Sequence, residues 1–215
     1  MKQEEKRIKK RVGLITFHAS HNNGSMLQAL ALQNMLKKYG CEVEIIDFSN
    51  EGQRNLYAPL PKAHNWKQVI KRAIWRTNYK ELLKQYESYE AFSKKYFYLT
   101  EKKYYNSSEL YELNEKYDAF IVGSDQVWRP TYNLGDKLFD MYLAFADGQQ
   151  VKRLSYAASF GVDKWEYSDD QTRICSELAK QFDAISVREK SGVKLCADNL
   201  GVDAIHVLDP TMLLD

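Results

Sequence analysis

Two clusters in this chain have the residue types and placement to do chemistry. Arg188 follows the apolar run Asp183–Val187, and its planar fork matches a carboxylate or a phosphate; an ion pair with Glu189 or another acid is the alternative. Ser124, Asp125 and Gln126 follow Gly123 at the end of Ala119–Val122, where the glycine lets backbone N–H groups approach an anion and the hydroxyl, carboxylate and amide supply specific hydrogen bonds; a tight turn capped by Ser or Asp is the alternative. A third loop, His18 to Ser25, holds His18, His21, Asn23 and Gly24. Its histidines suit proton transfer or a structural role, and Asn23 and Gly24 precede a helix whose free N–H groups favour an anion.

Buried strands must position these groups. Ala119–Val122 is a short β-branched apolar run, the pattern of a strand covered on both faces. Val12–Phe17 is another, followed by a helix from Met26 with Leu27, Leu30, Ala31, Met35 and Leu36 near helical spacing and Gly40 at its end. Cys41–Phe48 completes a βαβ unit. Further strands are expected at Lys152–Ser159, Asp183–Val187 and Ala204–Leu208, with helices at Asp169–Phe182 and Ser191–Leu200. Roughly six strands alternating with helices predict a doubly wound, mostly parallel Rossmann-like α/β sheet. Such winding brings the loops at Asn22–Ser25, Gly123–Gln126, Ser159–Gly161 and Arg188-Glu189 to one side. Residues 1–10 read as a basic extension and 11–215 as one domain. Between about 55 and 116 lies a helical, Tyr/Lys-rich insertion, with helices at Trp66–Trp75 and Tyr79–Tyr98 and a short one, capped by Ser107-Ser108-Glu109, at Leu110–Tyr117.

Composition excludes several classes. With 31 Lys+Arg against 29 Asp+Glu, nucleic acid is not the expected partner. Three cysteines without paired spacing fit neither a disulfide framework nor a zinc site. A lone Gly24 does not make a dinucleotide fingerprint, even with Asp47 closing the second strand. No apolar run is long enough to span a membrane, so a cytoplasmic protein is expected, with peripheral attachment to the inner membrane face as a variant.

Five segments together resemble the polysaccharide pyruvyl transferase family. They are Thr16-Phe17-His18 through Asn23-Gly24 to Leu27-Gln28-Ala29, Tyr117–Trp128, Ser155–Gly161, Ile185–Gly192 and Val207–Thr211. The resemblance implies half of a GT-B-type fold, in which two Rossmann-like domains face each other across a cleft. The sequence stops at Asp215, just past Asp-Pro-Thr, where members cross into the second domain, so that domain is expected to be absent. The implied reaction moves pyruvate from phosphoenolpyruvate onto two sugar hydroxyls as a ketal, in cell-surface polysaccharide synthesis, with no cofactor and no metal. The implied roles are proton transfer for Asp125 and His18, and substrate binding for Arg188, Asn23, Gly24, Ser124, Gln126 and Glu189. Partners would be phosphoenolpyruvate, a saccharide acceptor, and a second copy or a separate second domain. The alternatives are an idle or split half that binds saccharide or anion, and a nucleotide-sugar glycosyltransferase of the same architecture.

Overall fold

The computed structural model describes residues 9–19, 22–48, 84, 87–147 and 151–214. The expected helix at Trp66–Trp75, His21, and most of the N-terminal extension lie outside them.

Six strands form one parallel sheet in the order β2-β1-β3-β4-β5-β6. They are β1 (Arg11–Ile15), β2 (Glu42–Ile45), β3 (Ala119–Val122), β4 (Lys152–Ala158), β5 (Ala184–Val187) and β6 (Ile205–His206). Strand order reverses between β1 and β3, which makes their carboxyl ends the topological switch point where open α/β sheets hold ligands. Alternation along each strand feeds two cores, one per face. Val12, Leu14, Ala119 and Ile121 pack under helix α1 (Asn23–Lys38) with Met26, Ala29 and Leu32. Ile15, Phe120 and Val122 pack on the opposite face with Leu113, Tyr142, Phe145 and Cys175. The sheet is therefore covered on both sides, as its all-apolar β3 requires.

Local chemistry fixes the helix ends. Asn22 caps α1 by accepting from the Gly24 N–H at 2.8 Å, so α1 starts three residues before the expected Met26. Gly40, at φ +85°, ends it in the left-handed conformation glycine tolerates. The buried residues of α1 are Ser25, Met26, Gln28, Ala29, Ala31, Leu32 and Gln33, whereas Leu27 is 42% exposed. Leu30, Met35 and Leu36 also pack against this core as expected, so Leu27 alone of the expected apolar positions faces out, and two glutamines occupy core-facing positions that the apolar spacing does not show. The short helix begins at Ser107, ahead of the expected Leu110; Glu109 turns back to accept from the N–H groups of Tyr105 (2.9 Å) and Asn106 (3.3 Å).

Most aromatics between Trp128 and Phe145 are core, whereas Tyr132 is exposed. Trp128 is fully buried, stacks on Tyr142 at 4.7 Å, and donates its indole N–H to Met141 O at 2.9 Å. That anchor holds the strand-end loop ahead of it against the sheet.

Near this cluster, Asp140 is buried and accepts from Ser107 Oγ at 2.6 Å. Burial raises its pKa to about 6; the Ser107 hydrogen bond works against this, Asp136 adds to it, and Lys137 lowers it. A folded-state value above the ordinary 3.8 means that the folded chain binds this proton more tightly than the unfolded chain. The contribution of Asp140 to stability is therefore greatest below 3.8, falls as the pH rises through about 6, and is flat above that. Asp140→Asn should stabilise the protein at pH 7 by on the order of 2 kcal/mol. The gain should vanish in denaturation curves taken near pH 4.

Candidate functional site

The switch point is a crevice of about 280 Å³. The ends of β1 and β3 supply Thr16, Phe17, His18, Asp125 and Gln126, and α1 and its cap supply Asn22 and Ser25. Phe48, Tyr132, Asn133, Lys137 and Met141 complete the wall. Phe17 and Tyr132 meet edge to face at 6.4 Å.

Asp125 is the hub. It lies at φ +73°, a conformation that aspartate tolerates better than most residues. Its Oδ2 accepts from Ser25 Oγ at 2.6 Å, and its Oδ1 accepts from the Gln126 N–H at 2.8 Å. The carboxylate thus sits at the first turn of α1, the place where an anion was expected. Backbone bonds tie the same loop to β4, with the Ser159 N–H donating to Asp125 O at 3.0 Å and the Trp128 N–H to Ser159 O at 3.1 Å.

A bulge in β4 makes that reach possible. Pairing with β5 shifts register between Ser155 and Ala158, and Ala157 turns to φ +49°. Ser155 and Ser186 fill the gap: Ser155 Oγ donates to Ser186 O at 3.0 Å, and Ser186 Oγ donates to Ser155 O at 2.9 Å.

Arg188 lies behind Asp125 among three carboxylates. Its Nε donates to Glu189 at 2.9 Å, and its Nη1 lies 3.2 Å from Asp209 and 3.9 Å from Asp125. Burial opposes the charge on Arg188, but Glu189, Asp209 and Asp125 outweigh it and keep the guanidinium firmly protonated. Asp209 is likewise desolvated, yet hydrogen bonds from the Thr211 N–H and hydroxyl and from Arg188 hold it below the usual carboxylate range. Glu189 Oε1 also accepts from Ser159 Oγ at 2.9 Å. The ion-pair alternative is therefore the observed geometry: Arg188 clamps acids from three loops.

The other candidates divide by place. Gln126 lines the crevice, while its Oε1 accepts from Arg129 at 3.2 Å. Ser124 is fully buried beneath the floor, with its hydroxyl near Ala157 O (3.1 Å) and Asp209 (3.2 Å). Asn23 and Gly24 form the first turn of α1; Asn23 lines a separate groove with Met26, Leu27 and Phe92, and Asn22 is the asparagine that reaches the crevice. His18 lines the crevice but is 2% exposed, with Nδ1 at 3.1 Å from Thr16 O and Nε2 at 3.2 Å from Asp47. Burial would raise the Asp47 pKa, but His18 and Lys103 outweigh it and hold it low. With both ring nitrogens engaged, His18 reaches a substrate only by releasing one of them.

In the sequence Asp209 stands out only as part of a motif, Asn22 and Ser25 only as members of the Asn22–Ser25 strand-end loop, and Asn133 not at all. Among the described residues no group of His, Cys, Asp and Glu is arranged to hold a metal ion. No described helix is long and apolar enough to cross a membrane.

A parallel, doubly wound α/β sheet covered by helices, with a carboxylate, amides and aromatic rings lining its switch-point crevice, defines the class: a Rossmann-like α/β domain. The family model for polysaccharide pyruvyl transferase matches residues 22–215, and the chain belongs to that family. No curated protein matches it.

Proposed function

We propose that the chain takes part in pyruvyl transfer from phosphoenolpyruvate to a saccharide, and that the β1–β3 crevice holds the acceptor hydroxyls. The observation that carries this reading is Asp125, fixed by Ser25 and its own loop, in a crevice that also offers amides for hydroxyl groups and rings for sugar faces. In the reaction, a proton adds to the methylene carbon of phosphoenolpyruvate and leaves an oxocarbenium-like centre at C2. Two sugar hydroxyls bond to that carbon and phosphate leaves. Of the two hydroxyl protons, one balances the new methyl group and the other departs with phosphate. Asp125 receives the proton of an attacking hydroxyl. Arg188 keeps Asp125, Glu189 and Asp209 in place and is not the primary donor anchor; Lys137, which lines the crevice, faces the donor's negative charge. His18 holds the wall between β1 and β2. Synthesis of a cell-surface polysaccharide in the cytoplasm, at the inner membrane face, is the setting this chemistry suits.

The test is incubation of the chain with ¹³C-labelled phosphoenolpyruvate and a pool of oligosaccharides, read by NMR. A ketal carbon bonded to two sugar oxygens, with phosphate released in equal amount, is the expected result. Glycosyl transfer from a nucleotide sugar, without ketal, would reassign the activity.

A further inference from the structure

Helix α1 carries two buried glutamines, and they staple it to different places. Gln33 binds the segment beside β2: its Nε2 donates to Tyr96 O at 3.0 Å and its Oε1 accepts from the Tyr98 N–H at 2.8 Å. Gln28 binds the crevice floor. Its Nε2 lies 2.9 Å from Thr16 Oγ1, 2.9 Å from Ser25 O and 3.2 Å from Phe17 O, and its Oε1 accepts from the Ser124 N–H at 3.0 Å.

We propose that Gln28 is a positioning residue of the crevice, setting Asp125 against Ser25; its consequence for ligand binding rests on the saccharide reading above. At the switch point β1 and β3 part company. Their backbone ladder ends, among the described residues, with the Gly123 N–H donating to Ile15 O at 3.1 Å. Past that bond, Gln28 carries the connection, together with Thr16 Oγ1, which donates to Ser124 O at 3.2 Å. One side chain thus joins the end of β1, the first turn of α1 and the loop after β3. The Ser25–Asp125 hydrogen bond spans two of these three pieces. Without Gln28 only the Thr16–Ser124 hydrogen bond and the Ser25–Asp125 bond itself hold the donor against the carboxylate. Gln28 does not line the crevice, so it acts through Ser124 and Ser25 and not on a ligand.

Gln28→Met and Gln33→Met make a matched pair, since each removes a buried glutamine that bridges α1 to backbone. The probe is methyl β-D-glucopyranoside, a neutral hexoside, titrated into ¹⁵N-labelled protein well below its melting transition. Both variants should melt lower, Gln28→Met by more, since Gln28 has more polar partners. Only Gln28→Met should weaken hexoside binding, about tenfold, and move the Ser124 and Asp125 amide resonances. Unchanged affinity and unmoved Ser124 and Asp125 signals in folded Gln28→Met would overturn the proposal, as would an equal loss of affinity in Gln33→Met. If the wild-type chain does not bind the hexoside, the saccharide reading falls, and the two amide signals alone decide the role of Gln28.

Discussion

Gly123→Ala will abolish the crevice and cost about 3–5 kcal/mol of stability in urea denaturation, more than a typical point substitution. Gly123 lies at φ +113°, a conformation L residues rarely adopt, and a Cβ there would press on the carbonyl oxygen of Tyr156. That oxygen is backbone and has little room to yield. It belongs to the bulge of β4, where Ser155 and Ser186 exchange hydrogen bonds and the left-handed Ala157 donates its N–H to Ser186 Oγ at 3.1 Å. The same bulge delivers Ser159 to Asp125 O. The strain therefore spreads from the glycine into the loop that carries Asp125. Gly40→Ala is the contrasting control: it shares a positive φ, but nothing lies within 4 Å of its added Cβ, so it should cost only about 1 kcal/mol and leave the crevice intact.

Asp125→Asn will reduce ketal formation about 10²- to 10⁴-fold, the usual contribution of a positioned acid–base group, with little change in stability. Asparagine also tolerates the left-handed backbone at φ +73°, which alanine would not, so the substitution isolates the charge. Ser25 and the Gln126 N–H keep a partner of the same size. The loss should appear in turnover, while the melting midpoint stays near that of the wild type. Ser25→Ala should produce a smaller loss in the same direction, because it removes the hydroxyl that orients the carboxylate.

The architecture was legible because parallel strands buried on both faces show themselves as apolar runs, and Ala119–Val122 is such a run. The side on which the loops gather followed from that winding. Harder to see were the residues that act through neighbours. Gln28 and Gln33 look polar in sequence, yet they lie on the buried face of α1, and the pattern that took Leu27 as core passed them over. A pair of glutamines five apart among the apolar residues of the helix is the available signal. Asp209 comes 84 residues after Asp125 in sequence, and only the sheet order brings both to Arg188. Arg188 itself was correctly placed at a strand end, but composition could not reveal that three carboxylates converge on its fork. Asn23 and Asn22 differ by one position, and the choice between them depends on where the cap falls.

The most direct test of the saccharide crevice is a chemical-shift map of the ¹⁵N-labelled chain titrated with methyl β-D-glucopyranoside. Saturable shifts gathered at Asn22, Ser25, Asp125, Gln126 and Asn133, weakened in Asp125→Asn, are the expected result. Hexoside shifts that fall elsewhere, or crevice signals that stay still for the hexoside but move with a nucleotide sugar, would contradict it.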